Sequence, residues 1–165
     1  DHMGMLATVI NALAIQDAFI SVGIDTVVMS AVEMNAFCEQ YTQRDAVRAL
    51  ECGKVVVFGC GTGNPFFSTD TGAVLRAAEI GADVILMAKN IDGVYTADPH
   101  QDPSAEKLSE TTYDHILSEH LGVIDMTAAS LAMDNSIPLY IFGLNDPENI
   151  YRVAKGERIG TKVVK

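Results

Sequence analysis

The stretch K-V-V-V-F-G-C-G-T-G-N-P-F-F-S-T-D-T-G-A-V-L-R-A-A-E-I, Lys54 to Ile80, decides the fold. Its first part, Lys54–Cys60, is a continuous β-branched run flanked by glycines. Such a run predicts a strand buried on both faces, as a parallel sheet requires. Its last part, Asp70–Ile80, predicts a helix with Thr69 or Asp70 as N-cap. A plain strand-to-helix connection needs roughly 2–6 residues. The one here, Gly61 to Thr69, is longer, and it is built from residue types that bind ligands.

The same alternation extends in both directions. Upstream, G-M-L-A-T-V-I-N-A-L-A-I-Q-D-A-F-I-S-V (4–22) predicts a long helix stopped at Gly23. Thr26–Ser30 reads as a short buried strand, and Glu33–Cys38 and Gln43–Glu51 read as helices. Downstream come a strand at Asp83–Ala88, a loop at Lys89–Pro103, and helices at Thr112–Glu119 and Met126–Asp134. A strand at Ser136–Phe142 and a helix at Pro147–Ala154 close the series. Strands alternating with helices predict an α/β class with a mostly parallel sheet and helices on both faces. With no linker or repeat in sight, residues 1–165 read as a single domain.

Composition narrows the function. The 165 residues are 48% hydrophobic, which predicts a globular chain. The formal net charge of −11 argues against a nucleic-acid or anionic-membrane partner, because phosphate-lined surfaces need clustered Lys and Arg. No apolar run is read as a membrane span, and no signal peptide is read at the start. Three cysteines, Cys38, Cys52 and Cys60, without CxxC spacing, fit a reducing compartment and small buried hydrophobes. The four histidines, His2, His100, His115 and His120, show no zinc-ligand spacing with them. The seven methionines read as core filling.

Ligands of open α/β sheets sit beyond the carboxyl ends of the strands, which singles out two loops. In the first, Gly61 and Gly63 allow close backbone approach, and Thr62, Asn64, Ser68 and Thr69 supply donors. The helix that follows offers free N–H groups to a phosphate. Phe66 and Phe67 either wall a flat ring or pack into the core. The loop is not a Walker A motif: GxxxxGK[ST] is absent and no Lys lies in it. Asp70 either caps the helix or orients a metal or a lysine. In the second loop, Lys89 and Asn90 follow a strand end, Tyr95 can stack on a base, and Asp98 can accept from a ribose or amino group. The plain alternative there is a turn at Asp92-Gly93 with a solvated Asp98-Pro99 turn. Asp125 precedes a helix and reads as its N-cap.

Three stretches together carry a family resemblance. G-T-G-N-P-F-F-S-T-D-T, A-D-V-I-L-M-A-K-N-I-D-G-V-Y-T-A-D-P and G-V-I-D-M-T-A-A-S-L-A-M-D-N-S-I-P-L resemble bacterial uridylate (UMP) kinases of the amino-acid kinase superfamily. The resemblance runs from Asp1 to about Val164, so the opening Asp1-His2-Met3 reads as native sequence. The second stretch is shared across the superfamily; GTGNPFF is more specific to the UMP kinases. The resemblance implies a three-layer αβα sandwich, the cofactors ATP and Mg2+, and phosphoryl transfer to UMP in pyrimidine nucleotide synthesis. It assigns Asp1 to the UMP ribose and Thr62, Gly63, Asn64, Pro65, Phe66, Phe67, Ser68 and Thr69 to a wrap around UMP. It assigns Lys89, Asn90, Tyr95 and Asp98 to the ATP side, and Asp70 and Asp125 to the reaction centre. No dedicated protein metal site is implied, since a nucleotide-borne Mg2+ needs few carboxylates. Members are cytoplasmic homohexamers with the long helix at an interface, often activated by GTP and inhibited by UTP.

One departure from the family pattern matters. Members continue further at the N-terminus, with a K-L-S-G-E-like stretch whose Lys stabilises the transferring phosphoryl and a G-G-G-N-like phosphate loop. Neither motif occurs here. The expectation is therefore a C-terminal part of such a domain that lacks its first strands and is inactive alone. The competing expectations are an acetylglutamate or aspartate kinase-like relative and a non-catalytic nucleotide-binding module.

Overall fold

The computed structural model describes residues 1–99 and 101–165; His100 lies outside the described residues. The chain forms two compact units, Asp1–Ile80 and Gly81–Lys165.

The first unit contains α1 (His2–Ser21), β1 (Thr26–Ser30), β2 (Glu39–Gln40), α2 (Gln43–Glu51), β3 (Val55–Gly59) and α3 (Thr69–Ile80). Its sheet has the order β2-β1-β3 and is wholly parallel. β1 pairs with β3 from Thr26↔Val55 to Ser30↔Gly59, so the two strands end level with each other. Every residue of β1 is buried, as expected for a central parallel strand. The same expectation for the Lys54–Cys60 run is corrected: Val55–Phe58 are half-buried, and full burial begins only at Gly59. Val27 and Met29 of β1 form a core with Ala46 of α2, and Tyr41, Val56, Phe58 and Ile80 pack against it.

α1 lies against this sheet through Val9 and Ala12, its two buried residues. A Cβ on Gly59 would come within 2.9 Å of Val9 Cγ2, so the glycine permits the close crossing. Two polar bonds fix the helix further. The Gln16 amide donates to the Thr26 carbonyl at 3.0 Å, and the Cys60 N–H donates to Thr8 Oγ1 at 2.8 Å. α1 is nevertheless long and apolar enough, by length and composition alone, to cross a membrane. This corrects the sequence reading that found no such run.

The helix expected at Glu33–Cys38 is a single turn. Phe37 and Cys38 N–H both donate to the Met34 carbonyl before the chain enters β2. Six residues do not repay helix nucleation without a face to bury, and Phe37 is 70% exposed. By contrast α2 forms as expected. The Thr42 hydroxyl accepts from the Asp45 N–H at 3.1 Å and caps its start.

The second unit contains β4 (Ile85–Lys89), β5 (Val94–Tyr95), β6 (Lys107–Leu108), β7 (Glu110–Thr112), α4 (Tyr113–Ser118), α5 (Met126–Asp134), β8 (Leu139–Gly143), α6 (Glu148–Ala154) and β9 (Thr161–Val164). Its sheet runs β4-β8-β9-β7. β4 and β8 are parallel, β7 and β9 are parallel, and β8 meets β9 antiparallel. β5, within the stretch that the sequence reading treats as loop, makes a separate antiparallel pair with β6, which lies just beyond it. Leu139, Ile141, Val163, Tyr113 and the Ala128, Ala129, Ala132 face of α5 are all fully buried.

Candidate functional site

The loop after β3 begins with an abrupt change of direction. Cys60 (φ 65°) and Gly61 (φ 56°) both adopt the left-handed conformation. For a non-glycine residue this is uncommon, and at Cys60 it is held by the bond to Thr8. The Gly63 N–H then donates to the Cys60 carbonyl at 2.9 Å and closes a tight turn. Gly63 has φ 79°, and a Cβ there would sit 3.1 Å from that of Ala31, so this turn requires glycine. Thr62 and Asn64 tie the turn across itself, with the Asn64 N–H donating to Thr62 Oγ1 at 3.2 Å.

Phe66 is a second non-glycine left-handed position (φ 71°), and its N–H donates to the Asp1 carboxylate at 2.7 Å. This bond holds Asp1 against the loop. Phe66 is 96% exposed and Phe67 54% exposed. Core packing for these rings, one of the two sequence readings, is overturned. A loop that holds two aromatic rings in water offers a surface for a flat ligand.

The helix that follows is capped one residue earlier than expected. Ser68 Oγ accepts from the Thr71 N–H at 3.0 Å, which makes Ser68 the cap and puts Thr69 and Asp70 in the first turn of α3. The expectation of Thr69 or Asp70 as N-cap is corrected accordingly. Asp70 is half-buried at the positive end of the helix, where a carboxylate is favoured. Gly72 lets α3 press on the loop: a Cβ there would come within 3.2 Å of Gly61 Cα and 3.4 Å of Thr62 N.

The sequence reading missed the cluster behind this loop. Arg76 is 8% exposed. Its guanidinium pairs with Glu79 at 2.5 Å, stacks 3.9 Å over the Tyr41 ring, and donates to the Gly61 carbonyl at 3.2 Å. Tyr41 donates its hydroxyl to the same Glu79 at 2.6 Å. Burial, then the Glu79 carboxylate, push the Tyr41 phenol up. The signal in the sequence was an Arg with Glu at i+3 inside an otherwise apolar helix face.

In the second unit, Lys89 ends β4, and its carbonyl accepts from the Leu144 N–H at 2.8 Å. Asn90 is exposed beyond it. The organising residue of this loop is Asp92, which accepts from the Tyr95 hydroxyl at 2.8 Å and from Lys107 Nζ at 2.9 Å. Burial raises the Asp92 carboxyl, but the bonds from Lys107 and Tyr95 and the lysine charge outweigh it, so the net shift is downward. Lys107 also donates to the Ile159 carbonyl, and Val94 N–H donates to Thr161 Oγ1, which anchors β5 to the edge of β9. Gly93 is enclosed: a Cβ there would meet Thr161 Oγ1 at 2.7 Å and Lys107 Cε at 2.8 Å. Asp98 begins a turn in which its carbonyl accepts from Gln101 and Asp102 N–H. Asp125 caps α5 by accepting from the Ala128 N–H at 3.0 Å, as its place in the sequence suggests.

Among the described residues no three His, Cys, Asp or Glu side chains gather around a common point. Asp70 and Asp125 each stand at the start of a helix. The glycine turn, the start of α3 and the exposed rings form a surface that fits a phosphate and a base.

Known proteins match the chain along most of its length. The profile of the amino acid kinase family matches residues 1–143. The UMP kinase of Ureaplasma parvum is 37% identical, with a TM-score of 0.95 over 100% of this chain and 71% of that one. The UMP kinase of Bacillus anthracis is 35% identical, with a TM-score of 0.93 over 98% of this chain and 67% of that one. The uridylate kinase of Archaeoglobus fulgidus is 34% identical, with a TM-score of 0.76 over 99% and 71%.

Proposed function

The chain belongs to the amino acid kinase family, and from that premise we propose that it serves as a UMP kinase. A phosphate oxygen of UMP attacks the γ-phosphorus of ATP, the bond to the β,γ-bridging oxygen breaks, and UDP and ADP result. Such a transfer needs positioning and charge neutralisation more than covalent work. The observation that carries the reading is the loop after β3. Two non-glycine residues in the left-handed conformation, a glycine turn and a capped helix start make up this stretch, and its two phenylalanines are exposed. Solved UMP kinases at 35–37% identity superpose on the chain that carries it.

Within this proposal Asp1 and the stretch Thr62, Gly63, Asn64, Pro65, Phe66, Phe67, Ser68 and Thr69 hold UMP. Lys89, Asn90, Tyr95 and Asp98 line the ATP side, and Asp70 and Asp125 serve the reaction centre. ATP arrives with Mg2+, which neutralises charge on the transferring group. Residues 1–165 are the C-terminal part of one kinase domain, and the family match covers residues of both compact units. A cytoplasmic homo-oligomer, hexameric and responsive to GTP and UTP, completes the proposal.

Calorimetric titration of UMP, with CMP as control, tests the acceptor site. We expect UMP-selective heat that falls at least tenfold in apparent affinity in a Thr62→Ala, Asn64→Ala variant. Phosphorylation of acetylglutamate but not UMP by the full-length gene product would sink the reading.

A further inference from the structure

The Arg76 cluster belongs to no substrate contact assigned above, yet it reaches the acceptor loop. An arginine almost never lies fully buried unless it is paired. Here three partners share it: the Glu79 carboxylate, the Tyr41 ring face and the Gly61 carbonyl. The planar guanidinium makes these contacts in fixed directions, with one nitrogen on Glu79 and another on Gly61. Tyr41 closes the arrangement by bonding the same carboxylate. Arg76 stands 15 residues from Gly61, and Tyr41 stands 38 from Glu79, so the arrangement is a product of the fold.

The consequence lies in the peptide that follows Gly61. A peptide unit is planar and trans, so holding its carbonyl fixes its N–H in the opposite direction. The Gly61 carbonyl and the Thr62 N–H belong to one such unit. Gly61 is left-handed and has no side chain to restrict it, so nothing intrinsic sets the rotation of this unit. The Cys60 N–H is held from α1 by Thr8, and the Gly61 carbonyl is held from α3 by Arg76. The loop is therefore gripped from two helices at two successive residues.

We propose that Arg76 is a positioning residue that sets the Gly61–Thr62 peptide and thereby the loop's affinity for the acceptor nucleotide's phosphate. The inference rests on the reading of this loop as the UMP seat. A second consequence is specificity between substrates. The Arg76 contacts all lie in the unit that holds the acceptor loop, so its loss falls on UMP binding and spares ATP.

Steady-state kinetics on the full-length gene product tests this with Arg76→Met and Arg76→Lys, each checked by thermal melting. Arg76→Lys keeps the charge beside Glu79 but loses the fork and the stacking. We expect its KM for UMP to rise about tenfold, the scale of one lost hydrogen bond from a charged donor. KM for ATP should stay within about twofold. Amide hydrogen exchange at Thr62 and Gly63 should accelerate in the same variant. Arg76→Met should show the same split with a lower Tm; if it fails to fold, Arg76→Lys decides. An unchanged KM for UMP in Arg76→Lys overturns the proposal, as does an equal rise for UMP and ATP, which would mark a merely structural role. A wild-type protein that does not phosphorylate UMP fails the functional reading itself, and the hydrogen-exchange comparison then still reports whether Arg76 holds the peptide.

Discussion

Two glycines in helices show how far a residue's role depends on what faces it. Gly4 in α1 has nothing within 4 Å of where a Cβ would stand, whereas Gly72 in α3 faces the backbone of Gly61 and Thr62 at 3.2–3.4 Å. Gly→Ala in a helix ordinarily stabilises, by up to about 1 kcal/mol. We expect Gly4→Ala to raise stability by about 0.5 kcal/mol, since it sits in the first turn. Gly72→Ala should instead lower it by about 1 kcal/mol or more, because the neighbouring atoms are backbone and are pinned by Thr8 and Arg76. Urea titration of both variants checks the pair; a stabilised Gly72→Ala would mean that the loop yields freely. At this scale the sequence was informative where chemistry is local. The glycines, hydroxyls and acids of the loop could be read directly, and so could Asp125 as a cap. Ser68, Thr69 and Asp70 are three good caps in succession, and only the path of the loop selects Ser68. The exposure of Phe66 and the burial of Arg76 run against residue type, so composition could not reveal them.

Elements with their own periodicity were legible, and those defined by a partner were not. β1, α2 and α5 occupy the spans the sequence predicts, because each carries an apolar pattern and a cap or a breaker. β2, β5, β6 and β7 are two or three residues long, too short for a period, and exist through pairing with distant segments. β9 does alternate buried and exposed positions, but its four residues lie in a polar tail, and only its place between β8 and β7 makes it a strand. One element carries a pH signature. Tyr113 at the start of α4 is fully buried and donates its hydroxyl to the Ile137 carbonyl at 2.7 Å. Burial pushes its phenol up to about 12. A folded pKa above the unfolded value, about 10, stabilises the neutral form. That contribution is complete below about pH 10 and is lost as pH rises toward 12. We expect urea midpoints of the wild type to fall more steeply than those of Tyr113→Phe between pH 10 and 12. The variant should be weaker by about 1–2 kcal/mol at pH 8, since the Ile137 carbonyl loses its donor. Parallel curves across that range would mean that Tyr113 ionises with the unfolded chain's ease.

At the scale of the whole molecule the unexplained surface is α1. Only Val9 and Ala12 are buried, while Met3, Leu6, Ile10, Ile15 and Ile20 are 43–86% exposed. A helix apolar on nearly every side is ordinarily covered on more than one. Its bonds through Thr8 and Gln16 tie it to the first unit, and Asn11, Gln16 and Asp17 interrupt its apolar run. These features favour protein over lipid as the cover, in keeping with the proposed homo-oligomer. Each exposed Leu or Ile buried in an interface is worth roughly 1.5–3 kcal/mol. Charges placed among them should therefore break assembly without harming the fold. We expect the full-length gene product to sediment as an oligomer, and Leu6→Glu with Ile10→Glu to shift it to smaller species at unchanged Tm. Leu6 and Ile10 are 52% and 68% exposed, so a loss of Tm would show that they are covered within the protomer itself. A wild type that already sediments as a monomer would remove the oligomer from the functional proposal and leave the two nucleotide loops to be tested in a single chain.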